Sequence, residues 1–187
     1  MIKVVYIHVA KTGGKSFEKS LNKYGLTRPY GNAHKHSTAL HHIINNGKAY
    51  PIIATIRNPF SRTVSLYNYL KSSPNYKNVI GSFSDFVYNP KGYGHCFDHL
   101  DRNPLTMDTW LKDLNGNVIV DDVVRMEYMQ EDWSKIHEKY NLPKTIDRYT
   151  ESRDGMGKNY MDYYNSDLIQ YIGDICKWEL QTYGYTV

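Results

Sequence analysis

Cysteine is nearly absent from this chain: Cys96 and Cys176 are the only two in 187 residues, and they form neither a repeated spacing nor a metal-binding pattern. A disulfide framework and a cysteine-based zinc site are therefore not expected, and a reducing compartment is the default reading. Long apolar runs are also missing, none approaching the length that spans a bilayer. The N-terminus carries no signal-peptide pattern, because an apolar strand begins almost at Met1. A cytoplasmic protein without integral membrane contact is expected. A large excess of charge of one sign is missing too. The net charge of +4 favours an anionic ligand, but without a basic block or stripe it does not point to nucleic acid. Internal repeats and low-complexity tracts are absent.

What is present is the composition of a globular protein, 41% hydrophobic and 22% charged, with a length that suits a single domain over residues 1–187. Its 18 tyrosines are expected to pack with their hydroxyls at the surface or in hydrogen bonds.

Residues 4–9 are apolar and mostly β-branched, as in a strand covered on both faces. The strand runs into Lys11-Thr12-Gly13-Gly14-Lys15-Ser16, and from there Phe17, Leu21 and Tyr24 fall at helical spacing. A glycine turn that opens a helix presents backbone N–H groups and the positive end of the helix dipole, so a phosphate or sulfate group fits it. A second strand over 51–56 leads into Arg57-Asn58-Pro59, where Asn58 suits an N-cap and Pro59 the first helical position, predicting a helix over 59–71. Parallel strands would bring both strand ends to one sheet edge, where α/β folds bind ligands.

Between these motifs, Ser37 or Thr38 is expected to cap a short helix that ends near Gly47, with His34 and His36 in the loop before it. His41 and His42 then fall on the helix surface, and His8 reads as a structural histidine inside its strand. The irregular stretch 72–104 holds one short helix over 83–88 and suits a substrate wall. Residues 117–121 and 123–126 predict one or two strands, 129–140 a helix, 150–158 a loop and 166–183 a single last helix. Trp110, Trp133 and Trp178 are expected in the core. Strands alternating with helices predict an α/β fold of three layers, with a central parallel sheet.

Gly14-Lys15-Ser16 invites a Walker A reading, but Val9 stands where its first glycine belongs. Asp121 and Asp122 after an apolar run resemble the strand and Asp that hold Mg²⁺ in nucleotide triphosphatases, which keeps a kinase or NTPase as an alternative. The whole chain is more similar to another family. Residues 7–16 resemble the 5′-phosphosulfate loop of sulfotransferases that use 3′-phosphoadenosine 5′-phosphosulfate (PAPS), particularly the carbohydrate-type branch that includes heparan and chondroitin enzymes. Residues 57–67 resemble the same family's 3′-phosphate motif, with Arg57 and Ser65 eight residues apart. Met107 to Trp110, residues 124–127 with 131–133, and the ending Tyr183-Gly184-Tyr185 are similar to weaker landmarks of that branch.

The resemblance implies a P-loop-like sulfotransferase fold and sulfuryl transfer from PAPS to a hydroxyl, that of a carbohydrate in this branch, with 3′-phosphoadenosine 5′-phosphate as product. It gives Lys11 the bridging oxygen, Thr12, Gly13, Gly14, Lys15 and Ser16 the 5′-phosphate, and Arg57 with Ser65 the 3′-phosphate. His34-Lys35-His36 resembles the segment that supplies the general base in heparan-type enzymes, with His36 preferred and His34 as helper or substitute. Residues 153–158 resemble the loop that covers the 3′-phosphate in cytosolic sulfotransferases, making Arg153 and Lys158 candidate contacts, although the glycine spacing departs from that pattern. Lys15 replaces the branch's usual Thr or Ser, and its charge either tightens anion binding or lies in solvent. The histidines lack a spaced carboxylate or cysteine that would complete a metal site, and no metal is required by the reaction. The acceptor is a small molecule or a glycan, and an anchorless member of this branch points to a bacterial or viral source. A catalytically silent nucleotide- or glycan-binding module is the third reading.

Overall fold

The computed structural model describes residues 4–23, 37–90, 103–146 and 159–187. They form a mixed α/β structure that divides into two compact units, Met1–Arg57 with Asp108–Thr150, and Asn58–Met107 with Glu151–Val187. No helix among the described residues is long and apolar enough to cross a membrane.

The first unit is built on a parallel sheet of three strands in the order β1 (Val5–Ile7), β2 (Ile52–Ile56) and β3 (Asp122–Arg125). β1 and β2 are buried at every position, which is why their sequences are mostly apolar with no solvent-facing alternation, Thr55 being a buried polar exception. β2 pairs with both neighbours, Val5 opposite Ile52 on one side and Ile53 opposite Asp122 on the other. Helix α1 (Gly14–Asn22) and the later α6 (Met129–Lys139) bury their apolar stripes in a core with Tyr6, Ile53 and Val124. There Phe17 stacks on Tyr6, and Trp133 meets Phe17 edge-on, each pair with centroids 5.3 Å apart. Arg125 at the end of β3 grips Asp132 of α6 through Nε at 2.9 Å and Nη2 at 2.7 Å. Burial works to raise the Asp132 pKa, but these hydrogen bonds and the Arg125 charge prevail and hold it below its ordinary value.

Helix α2 (Ala39–Asn46) starts where the sequence predicts: Thr38 Oγ1 accepts from the His41 N–H at 3.2 Å, and Gly47 ends the helix at φ +70°. His42 does not lie on its surface as expected. It is only 7% exposed, because Ala39 and His42 share the inward face of this short helix. The stretch 117–121 stays outside the sheet apart from an isolated antiparallel bridge between Lys112 and Val118, which follows the tight turn at Gly116. A further short helix, α5 (Asp108–Leu111), precedes that turn and buries Trp110.

The second unit is helical among its described residues: α3 (Pro59–Ser72), α4 (Phe83–Tyr88), α7 (Ser166–Ile175) and α8 (Lys177–Tyr183). Asn58 Oδ1 accepts from the Phe60 N–H at 2.9 Å and Pro59 begins α3, as their types require. α4 has a complete capping box formed by Ser82 and Asp85. The expected single helix over 166–183 is interrupted at Cys176, whose backbone leaves the α-region at φ −103° and ψ 17°. Cys176 serves both helices: its N–H bonds the Ile172 carbonyl at 2.9 Å, closing α7, and its carbonyl accepts from the Leu180 N–H at 3.0 Å, opening α8. Arg62 of α3 is fully buried and donates through Nη1 to the carbonyls of Pro104 at 2.9 Å and Leu105 at 3.1 Å. Trp178 is only partly buried, unlike Trp110 and Trp133.

Candidate functional site

The loop after β1 owes its shape to two residues with left-handed backbones, Lys11 at φ +67° and Gly13 at φ +78°. Gly13 tolerates this region freely, whereas for Lys11 it costs about 1–2 kcal/mol, strain of the kind that concentrates at functional sites. Gly13 is also the N-cap of α1. It has no side chain to cap the helix, and no acidic residue lies in the first turn. The positive end of the helix dipole is therefore left for an anion to neutralise. Lys11 is half-buried beside this end and Lys15 is exposed, while Ser16 is buried with its N–H turned back to the Gly13 carbonyl at 3.0 Å.

Arg57 immediately follows β2, at the same sheet edge. Its Nη1 comes within 3.5 Å of the Lys11 carbonyl, at the limit of hydrogen bonding, so the Arg57 guanidinium lies against the main chain of the loop that carries Lys11. Adjacent parallel strands produce this proximity, because both must end at one edge. β3 ends there as well, with Arg125 paired to Asp132. Asp121 and Asp122 are at the opposite edge, where β3 begins. Asp121 binds Lys48 at 2.9 Å and the Ile52 N–H at 2.8 Å; Asp122 binds Lys139 at 2.8 Å and the Tyr140 hydroxyl. The carboxylates that suggested a Mg²⁺ site thus stand a strand length away from the loop, each with partners of its own.

Three supports fix the loop from behind. The first is a directed chain of hydroxyls. Thr12 Oγ1 donates to the Val9 carbonyl at 2.8 Å, so the Thr55 hydroxyl must donate to Thr12 at 2.7 Å, and the Tyr6 hydroxyl must donate to Thr55 at 2.6 Å. Burial, with the Glu18 charge adding to it, pushes the Tyr6 phenol far above its ordinary pKa and keeps it a donor. Thr12 therefore turns its hydroxyl inward and offers a ligand only its main chain. The second support is Met126 and Met129, which lie beside Gly13; a Cβ there would meet them at 3.6 and 3.4 Å. The third is His8, whose Nδ1 is 2.7 Å from Oε1 of Glu18, both side chains being 8% exposed. His8 is the satisfied structural histidine that the sequence suggested, whereas Glu18 gave no sequence warning beyond being a carboxylate at core-facing spacing beside Phe17 and Leu21.

The hydroxyl chain makes a stability prediction. Thr55→Val leaves the buried Tyr6 hydroxyl without its acceptor and should destabilise the protein by about 1–3 kcal/mol. Removing that hydroxyl as well, in Tyr6→Phe/Thr55→Val, should cost less than the sum of the two single changes. Urea unfolding of the three variants reads this directly, and strict additivity would contradict the chain.

Ser65 lies on α3 in the second unit and is 6% exposed. His34, His36, Arg153 and Lys158 lie outside the described residues. Among the described residues no three His, Cys, Asp or Glu side chains are grouped as a metal ion would need. A family model described as the sulfotransferase family matches residues 2–186. No curated protein matches the chain.

Proposed function

The chain belongs to the sulfotransferase family, and from that premise we propose that it moves the sulfuryl group of PAPS to an acceptor hydroxyl, most naturally one on a carbohydrate. The observation that carries this reading is the meeting of Lys11 and Arg57 at one sheet edge, beside an α1 N-terminus without a carboxylate. PAPS has two anionic groups separated by a nucleoside, and this donor set suits it: main-chain N–H groups, a lysine and an arginine, with the nearby Asp132 and Glu18 already engaged by Arg125 and His8. The family match runs over both units, which supports reading residues 1–187 as a single sulfotransferase domain with a three-layer α/β architecture.

When bound, PAPS supplies an activated sulfuryl group on a phosphate leaving group. The main chain over residues 13–16, with the charges of Lys11 and Lys15, holds the 5′-phosphosulfate, and Ser16 and Thr12 help shape the loop. Lys11 stands where negative charge grows on the departing oxygen, and a cation fixed there favours the transition state over the ground state. Arg57 grips the 3′-phosphate in the bidentate manner available to a guanidinium, with Ser65 donating a hydroxyl and Arg153 and Lys158 covering it. His36, assisted or replaced by His34, takes the acceptor proton. The reaction needs no metal. The kinase or NTPase alternative loses support because Asp121 and Asp122 are at the far edge of the sheet.

Labelled sulfate transfer from PAPS to a panel of sugars, polysaccharides and small hydroxylated molecules tests the proposal. Product is expected with at least one acceptor, and His36→Ala should lower turnover about a hundredfold or more while leaving 3′,5′-ADP affinity nearly intact. A protein that binds 3′,5′-ADP and transfers sulfate to no acceptor would instead be a silent nucleotide-binding module.

A further inference from the structure

His8 and Glu18 form a buried ionisable pair that no step of the proposed reaction uses. His8 directly follows β1 and is 7% exposed; Glu18 is on α1 and is 8% exposed. Their 2.7 Å contact connects the end of the strand to the second turn of the helix, across the loop that separates them. Gly14 lies one helical turn before Glu18, on the same face. A Cβ built on Gly14 would fall inside the van der Waals shells of His8 Cδ2 and Nε2, and 2.8 Å from Cε1. The imidazole thus occupies the space that any side chain at position 14 would need. It is held at Nδ1 by Glu18 and pressed along its other edge against the first residue of α1.

Packing alone does not call for such a pair. Two ionisable groups taken out of water are often no more stabilising than apolar side chains of similar volume. What a hydrogen bond to Nδ1 adds is direction: it fixes the plane of the ring, and the ring fixes the main chain at Gly14. The main chain there belongs to the anion cradle, where a displacement of about 1 Å can cost a hundredfold in rate.

We infer that His8 and Glu18 are positioning residues for the donor-binding loop, a brace that sets the main chain at Gly14 against the 5′-phosphosulfate of PAPS. The inference rests on the proposed donor site. It makes Gly14 necessary for a stated reason, the ring behind it, and makes Glu18 matter as a hydrogen-bond acceptor more than as a charge.

The test measures melting temperature and 3′,5′-ADP affinity together, for Glu18→Gln, Glu18→Leu, Gly14→Ala and the double variant His8→Ala/Gly14→Ala. Glu18→Gln, which keeps the acceptor, should bind within about threefold of the unmodified protein, and Glu18→Leu, which leaves the His8 N–H without its acceptor and so lowers the melting temperature, should still bind about tenfold more weakly when assayed well below that temperature. Gly14→Ala should bind more weakly still, and removal of the ring in the double variant should recover part of that loss. Wild-type affinity in Glu18→Leu, or no recovery in the double variant, would overturn the inference. If the unmodified protein fails to bind 3′,5′-ADP, the donor reading falls and the brace is judged by amide exchange over residues 13–16. Faster exchange in Glu18→Leu would sustain it, and unchanged exchange would overturn it.

Discussion

Replacing Lys11 with alanine is expected to lower sulfuryl transfer by about 10²–10³-fold, the usual cost of removing one fixed group from a site of developing charge. The change leaves the backbone problem as it was, because alanine at φ +67° carries the same penalty as lysine. The loss therefore reports on the ammonium group. Its signature should be an effect on turnover larger than the effect on 3′,5′-ADP affinity, since the charge that Lys11 meets grows as the S–O bond breaks. Single-turnover transfer from labelled PAPS and a 3′,5′-ADP titration separate the two. Equal losses in both would make Lys11 a ground-state binding group.

The second large effect is expected at Arg57. Removing a charge-assisted contact costs about 1.5–3 kcal/mol, so Arg57→Ala should weaken 3′,5′-ADP binding by roughly 10- to 150-fold. Because Nη1 also lies 3.5 Å from the Lys11 carbonyl, some of that loss could come through the loop. Adenosine 5′-phosphosulfate, which lacks the 3′-phosphate, isolates the two contributions: its affinity should change only a few-fold. Arg57→Lys should fall between, keeping the charge and losing the fork geometry. If both nucleotides lose affinity equally, Arg57 acts on the loop and not on the 3′-phosphate.

The parts of this structure legible in the sequence are those that local chemistry decides. The apolar runs of β1 and β2, the Asn58 cap with Pro59 behind it, the Thr38 cap and the Ser82-Asp85 capping box each carry their own reason within a few residues. The features that were not legible depend on partners distant in the chain. Glu18 is a carboxylate at a core-facing position with no evident reason until His8 is known to meet it, and His42 shares the inward face of α2 with Ala39. Asp121 and Asp122 look like Mg²⁺ ligands until the parallel register assigns them to the start of β3, away from Lys11. Arg62 shares a motif with Arg57 yet is buried against main-chain carbonyls more than 40 residues away. The Lys11 to Ser16 loop was legible as an anion site, but not the inward turn of the Thr12 hydroxyl, which only the proximity of Thr55 explains.

One comparison tests the central claim most directly: the melting temperature of the protein with 3′,5′-ADP in the absence of metal, set against ATP with Mg²⁺. A ligand that binds only the folded state raises stability in proportion to the logarithm of its concentration over Kd. The Lys11 and Arg57 edge predicts stabilisation by metal-free 3′,5′-ADP and little by ATP with Mg²⁺. Stabilisation by ATP with Mg²⁺ alone would contradict it.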